Sequence, residues 1–411
     1  MAFKEIGLTL TDEHRILRDS LRQFGQEVLR PASIALDAMT PGEVVQKDSL
    51  LLNVYKQAYA LDYHTTLFPA ELGGAGLDPL GIQIFFEELG YASAGMALGI
   101  GATGFHATFA AMSADPKVHE KFVTPYINCK DASIIGCWAI TEPNHGSDNL
   151  AVGREQFRDP GITQQVKATK KGDRWVLNGQ KSAWVSVSPV ATHAGLFCGI
   201  DSSKGMSGGG LFVIDLSTPG ISKGTPLNKL GQRDMPQGEI FFDNAEIPEE
   251  NLIFGPDKYE HALTDVLTHA NLMMACTFTG VAQSALDLAL KHCTERTQGG
   301  KLLCEHQLVQ KTLFDMFRKV EISRAMTRAA MQYNLASGTP DLKYSIVSKV
   351  TATDTAFEVA NEAVQLFGGY GVSKEYPIEK IFRDARSSRI EDGSNEVLSL
   401  VGAHKLIRDF A

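Results

Sequence analysis

The sequence predicts a chain in three parts: an N-terminal helical domain over residues 1–132, a central antiparallel β domain over 133–250, and a C-terminal antiparallel helix bundle over 251–411. Three observations carry this. Apolar residues recur at helical spacing in the first third. Short β-branched or aromatic runs, separated by turn signals, fill the middle. The last third returns to long helical stretches at 262–296, 305–337 and 342–367. With 411 residues and 44% hydrophobic content, the chain can bury a core of several layers.

In the first third, Thr11-Asp12-Glu13 reads as a helix cap with an acidic first turn, and Leu17, Leu21, Phe24 and Val28 follow on one face. Pro31 is expected to limit that helix. A Gly/Pro-rich turn cluster occupies 68–76. The apolar stretch 95–112 carries Thr103, His106 and Thr108, so it reads as a close-packed interior helix and not a membrane span. In the middle third, strand-like runs lie at 133–140, 164–169, 174–177, 182–187, 195–200, 210–216 and 238–242. Lys171-Gly172-Asp173 and Asn178-Gly179 have the residues of hairpin turns. Glu246-Ile247-Pro248 marks the exit from the β domain, and Gly338-Thr339-Pro340 stops a later helix. No internal repeat or low-complexity tract is present.

The formal net charge of −9 argues against nucleic acid or an anionic membrane as the main partner. Cys129, Cys137, Cys198, Cys276, Cys293 and Cys304 form no Cys-x-x-Cys pair and no cluster with histidine. They read as reduced core thiols, with no metal site, in a cytoplasmic protein. Residues 1–7 lack the apolar run of a targeting peptide.

Chemistry concentrates near the C-terminus. Gly368, Gly369 and Gly371 let backbone approach a ligand closely, and Glu391-Asp392 stands just before a Gly393-Ser394-Asn395 turn, where a carboxylate can be presented as a base. This strip is one of four blocks. The others are 68–76, Ile140-Thr141-Glu142-Pro143 with Gly146-Ser147-Asp148, and Lys229-Leu230-Gly231-Gln232-Arg233. In order and spacing, the four resemble the acyl-CoA dehydrogenase superfamily over essentially the whole chain. The resemblance implies an acyl-CoA dehydrogenase-like fold, FAD as cofactor, an acyl-CoA substrate, electron-transfer flavoprotein or a similar acceptor, and a homotetramer. It implies α,β-dehydrogenation, in which a carboxylate removes the α-proton and the β-hydrogen leaves as hydride.

A planar isoalloxazine needs polar groups at its edge and a flat side chain nearby. Trp138, Ile140, Thr141 and Ser147 on one segment, with Trp184 and Ser186 on a neighbouring strand, offer that set; the two tryptophans would serve equally as core of the β domain. By resemblance, Thr141 bonds the pyrimidine edge of FAD, Trp184 packs by the ring system and Ser147 contacts the CoA portion. The resemblance also assigns Arg296 and Gln307 to the FAD of a neighbouring subunit, and Gln365, Gly368 and Gly369 to the adenosine side. Ser394, Asn395 and Glu396 complete the cofactor set, and Asn271 and Gly393 the substrate set.

The chain departs from the family at several points. The base position holds Asp392, not the usual Glu, and Glu391 stands beside it as runner-up, where relatives often have an aromatic residue. The other known location for a base aligns with Ala270; Asn271 replaces a common Arg, and Gly299 a common aromatic residue. The stretch 89–114 has no Asp or Glu, and its small residues are expected to leave volume for a short, branched or alicyclic acyl group. Two other readings are a nitroalkane-oxidase-like flavoenzyme, in which Ser399 stands where that enzyme has an Arg, and a catalytically silent assembly relative.

Overall fold

The computed structural model describes residues 10–336 and 338–411; the readings of residues 1–7 and of Ser337 lie outside the described residues. The N-terminal part consists of α1 (Asp12–Phe24), α2 (Arg30–Ala38), α3 (Pro41–Val44), α4 (Leu50–Ala60), α5 (Pro79–Ala92), α6 (Ala94–Ala102), α7 (Phe105–Ala111), α8 (Pro116–Val118) and α9 (Thr124–Ile127). Thr11 caps α1 by accepting from the His14 N–H at 3.2 Å.

Pro31 does not end the helix. The chain stays helical to Ala38 through a wide π turn at Gly25–Leu29. Proline has no N–H to give the carbonyl four residues back, and the π turn re-spaces the ladder just ahead of it.

The glycines of α6 do not leave open volume either. A Cβ on Gly99 would come 2.5 Å from the Tyr55 hydroxyl and one on Gly101 2.7 Å from Met273 Sδ, while the place of a Gly95 side chain is taken by Asp234. These glycines let neighbours pack against the helix backbone.

The β domain is one eight-stranded sheet in the order β6-β7-β3-β2-β4-β5-β8, with β1 paired to β4. The strands are β1 (Trp138–Ala139), β2 (Lys167–Lys171), β3 (Arg174–Ser186), β4 (His193–Gly199), β5 (Gly209–Asp215), β6 (Ile221–Lys223), β7 (Gln237–Pro248) and β8 (Leu252–Phe254). Pairing is antiparallel except where β1 and β2 meet β4. Gly172-Asp173 is the expected hairpin turn. Asn178-Gly179 is not: β3 runs straight through it along β7, with a bulge between Leu177 and Gly179. Gly179 has φ 126°, and a Cβ there would press on the Val166 backbone at 2.9 Å, so the glycine serves a bulge and a close approach.

The C-terminal part holds α10 (Tyr259–Glu295), α11 (Gln307–Ala336), α12 (Leu342–Phe367), α13 (Ile378–Ser388) and α14 (Asn395–Phe410). Between α10 and α11 a small hairpin, β9 (Thr297–Gln298) and β10 (Lys301–Leu302), turns at Gly299-Gly300, both at positive φ. Among the described residues α10 alone is long and apolar enough to cross a membrane, and 83% of its apolar window is buried inside the protein. It packs along α5 and α12.

Asp234 ties the three parts together. It accepts from the hydroxyls of Ser33 and Ser93 and lies 3.5 Å from Lys380 Nζ, which also pairs with Asp384 at 2.6 Å. Asp384 in turn accepts from the Gln232 N–H, and a Cβ on Gly231 would collide with the Arg383 carbonyl. The 229–235 loop is thereby pressed onto α13, just before the acidic pair.

Candidate active site

The segment between α13 and α14 is a tight turn. Asp392 has φ 50° and Gly393 φ 95°; aspartate tolerates this left-handed region better than most residues. Three elements hold the turn. The Asn395 N–H donates to the Arg389 carbonyl at 3.0 Å, the Ser394 N–H donates to Ser147 Oγ at 2.9 Å, and Ser394 Oγ caps α14 by accepting from the Val397 N–H at 3.3 Å. The Ser147 bond joins the β domain to the C-terminal bundle at this point.

The two carboxylates have different surroundings. Glu391 Oε2 accepts from Gln232 Nε2 at 2.9 Å. Gln232 is itself at φ 49°, fixed by the Asp384 contact. Among the described residues no hydrogen bond or ion pair engages the Asp392 carboxylate. Burial pushes both acids up, Glu391 to about 7 and Asp392 to about 6. For Glu391 the Gln232 bond, Lys229 and, more weakly, Lys349 oppose burial, and the Asp392 charge adds to it; for Asp392 the opposing charge is Lys349.

Two lysines flank the pair, Lys349 buried and Lys229 half-buried. Lys349 on α12 has no exposed surface and donates to the Gly393 carbonyl at 2.9 Å and to Asn395 Oδ1 at 2.8 Å. Lys229 donates to the Met235 carbonyl at 2.7 Å and to Gln237 Oε1 at 2.9 Å. Burial lowers each ammonium to about 8, against the pull of the nearby carboxylates. Sequence reasoning missed both roles. The available signal for Lys349 was a charge among Ser345, Ile346, Ala352 and Thr353, a face that is wholly buried.

On the β side, Gln237 Nε2 donates to the Trp184 carbonyl and to Ser186 Oγ, both at 3.1 Å, which links Lys229 to the strand carrying the expected flavin contacts. The two tryptophans part ways. Trp184 is 58% exposed, whereas Trp138 lies in a core cluster with Phe105, Phe109 and Phe197. Ile140 is buried, and its carbonyl accepts from Lys181 Nζ at 2.9 Å. Thr141 sits at the end of that segment, half-buried, its carbonyl taking the Ser182 N–H at 2.9 Å.

Among the described residues the buried Trp138 Nε1 and Ser182 Oγ have no hydrogen-bond partner, and Gly368 and Gly369 have open space where a Cβ would stand. Unpartnered buried polar groups, the exposed Trp184 ring and a bare backbone surface fit a bound flavin dinucleotide.

Arg296 is exposed, with its guanidinium 5.4 Å from the Tyr370 ring centroid, next to Gly368 and Gly369. Gln307 and Gln365 are exposed on helix ends nearby in sequence, and Glu396 is exposed in the first turn of α14. The Asn395 side chain, expected to face the cofactor, is instead buried and committed to Lys349, Thr353 and Asp354. Asn271 is buried, with Nδ2 on the Leu267 carbonyl and Oδ1 unpartnered among the described residues.

Models of the acyl-CoA dehydrogenase N-terminal, middle and C-terminal domains match residues 11–130, 137–245 and 261–407. The chain is 30% identical over 97% of its length to cyclohex-1-ene-1-carbonyl-CoA dehydrogenase of Syntrophus aciditrophicus, covering 91% of that protein. It is 32% identical over 98% of its length to the mitochondrial short-chain specific acyl-CoA dehydrogenase of Rattus norvegicus, covering 92% of it. The fold superposes on butyryl-CoA dehydrogenase from Megasphaera elsdenii with a TM-score of 0.87, at 28% identity, covering 98% of this chain and all of that one.

Proposed function

The chain belongs to the acyl-CoA dehydrogenase family, a family of FAD-dependent oxidoreductases, and from that premise we propose that it dehydrogenates a short, branched or alicyclic acyl-CoA with Asp392 as the α-proton base. The observation that carries the base assignment is the contrast within the acidic pair: Glu391 is held by Gln232, whereas among the described residues no hydrogen bond or ion pair engages the Asp392 carboxylate. A base must be free to take a proton; burial raises both acids toward neutrality, which suits either to the task, so it is the difference in partners that selects Asp392.

FAD, when bound, supplies the hydride acceptor. Thr141 and Ser186 would meet its ring edge and the exposed Trp184 its flank, with Arg296, Gln307, Gln365, Gly368 and Gly369 serving its dinucleotide end. Ser147 would contact the CoA portion while fixing the turn through the Ser394 N–H. Among the described residues the Asp392 N–H makes no hydrogen bond, and it is available to a thioester carbonyl, which would acidify the α-carbon as charge develops on oxygen. Asp392 is one methylene shorter than glutamate, so the α-carbon must come closer, and a bulky acyl group would hold it there. The two relatives named for cyclohexenyl and short-chain substrates favour the same size range.

Electron-transfer flavoprotein is the acceptor in this reading. Exposed Leu308, Phe314, Leu406, Ile407 and Phe410 on α11 and α14 supply apolar surface for a homotetramer. The deciding experiment is anaerobic bleaching of the protein-bound flavin by straight, branched and cyclic acyl-CoA thioesters, with a nitroalkane as the control reductant. Faster kcat/KM for dodecanoyl-CoA than for every branched or cyclic thioester sinks the substrate proposal, and bleaching by the nitroalkane alone sinks the dehydrogenase reading.

A further inference from the structure

Burying an ammonium costs several kcal/mol unless its surroundings repay the desolvation. Lys349 is buried completely and makes no direct ion pair among the described residues; its hydrogen bonds go to two neutral acceptors, the Gly393 carbonyl and Asn395 Oδ1. A neutral amide side chain could satisfy two such acceptors at lower cost, so the charge itself calls for an explanation.

The explanation lies in what surrounds it. From the turn, Lys349 faces Asp392 and Glu391; from its own helix, Asp354; and from the start of α14, Glu396. Two of these are engaged elsewhere: Asp354 pairs with Arg389 at 2.7 Å, and Glu391 takes the Gln232 bond and faces Lys229. Glu396 lies in solvent. Asp392 is left, and Lys349 is the cation that acts on it. The other flanking ammonium, Lys229, faces Glu391, Asp234 and Asp384 with Lys380 as a like charge, and so belongs to the opposite side of the pair.

The anchoring is mechanical as well. Asn395 is gripped on its amide nitrogen by Thr353 Oγ1 and Asp354 Oδ1, both at 3.0 Å, so Lys349, Thr353 and Asp354 clamp one side chain from a single helix. That clamp fixes the turn in which Asp392 adopts a left-handed backbone.

We propose that Lys349 is a positioning residue for the catalytic turn: it anchors the turn through Gly393 and Asn395 and supplies the buried positive charge against which the Asp392 carboxylate ionises. This rests on the reading of Asp392 as the base, and the test separates the two. In flavin-loaded, substrate-free protein, the ¹³C carboxyl resonance of Asp392, assigned by its loss in Asp392→Asn, is titrated in wild type, Lys349→Gln and Lys349→Arg.

Lys349→Gln keeps a hydrogen-bond donor and removes the charge. It moves the Asp392 titration upward by about one unit or more, a tenfold change in its ionisation constant, and the acid limb of the flavin-reduction rate moves with it. Lys349→Arg, which keeps the charge, stays nearer wild type. An unmoved Asp392 titration in Lys349→Gln overturns the proposal, however far the rate falls, because a merely structural loss would lower the rate evenly across pH.

If Lys349→Gln does not yield folded flavoprotein, Asn395→Asp sets a carboxylate against the ammonium and cancels its field at Asp392. The titration then moves up as well, and a titration that stays in place overturns the proposal. An Asp392 titration that shifts while the rate limb does not follow supports the Lys349 linkage and removes Asp392 as the base.

Discussion

The side-chain amide of Gln232 donates to Glu391 at 2.9 Å across 159 positions of sequence, and this bond distinguishes two adjacent acids that composition alone cannot tell apart. With Glu391 occupied and Asp392 free, Asp392→Asn should lower the rate of flavin reduction by about 10²–10⁴-fold, the usual contribution of a general base. It should also abolish exchange of the substrate α-proton with solvent deuterium while flavin stays bound, since asparagine tolerates the left-handed backbone. Glu391→Gln should keep a substantial rate. Stopped-flow bleaching and exchange monitored by NMR read both; full activity in Asp392→Asn with lost exchange in Glu391→Gln reverses the assignment.

A pH dependence follows with a definite sign. Asp392 and Glu391 are raised in the folded protein by burial, to about 6 and about 7. A raised carboxyl binds its proton more tightly when folded, so its contribution to stability is full below the unfolded-state value near 4 and is lost as pH climbs through 6 to 7. The reaction needs the ionised base, so rate should rise over the same interval in which stability falls. Asp392→Asn should therefore gain in thermal midpoint relative to wild type at pH 8, and gain less at pH 5. Equal differences at the two pH values would contradict the burial of this carboxyl.

The order of helical, β and helical parts was legible in the sequence because long periodic segments and clustered turn residues are local signals. The failures were local as well. Asn178-Gly179 has hairpin residues but serves a bulge, because the strand partner β7 lies too far along the chain for pattern reading to find. Pro31 reads as a stop, yet a π turn absorbs it. The acidic pair was visible, but the groups that give its members different surroundings, Gln232, Lys229 and Lys349, come from other elements and meet only through tertiary packing.

Small residues in α6 support a prediction opposite to the one their composition suggests. Because the Tyr55 hydroxyl and Met273 Sδ occupy the space over Gly99 and Gly101, Gly99→Ala and Gly101→Ala should overpack the core and destabilise the protein by about 1–3 kcal/mol. Trimming Met273 to Ala should relieve Gly101→Ala and leave Gly99→Ala unrelieved. Thermal midpoints of the two singles and two doubles check this, and alanine variants as stable as wild type would mean that α6 does border open space.

Glu142, in the block shared with Thr141, holds structure. Its Oε1 takes Lys181 Nζ at 2.7 Å and the Val166 N–H at 2.9 Å, and the ion pair has no exposed side-chain surface. Lys181→Met should cost about 3–5 kcal/mol by stranding a buried carboxylate. The Glu142→Gln/Lys181→Met double variant should lose less than the sum of the singles. Strict additivity in thermal denaturation would exclude a direct coupling.

Arg296 gives the test of assembly. Its guanidinium stands over the Tyr370 ring beside Gly368 and Gly369, whose backbone faces open space, and all of these lie on one exposed surface of the chain. A surface of that kind, with a planar cation and bare backbone, suits the pyrophosphate and adenosine of a flavin held mainly by another copy. Arg296→Ala should then weaken FAD by about 10–100-fold, the worth of a charge-assisted contact of roughly 1.5–3 kcal/mol, and should shift the protein toward smaller assemblies at the same time. Arg296→Lys should fall between, because it keeps the charge and loses the two-pronged geometry. Flavin-to-protein absorbance after dialysis and light scattering at matched concentration measure the two effects. Full flavin content in Arg296→Ala removes the cross-subunit role, and flavin loss with an unchanged assembly would place Arg296 on the cofactor without the interface.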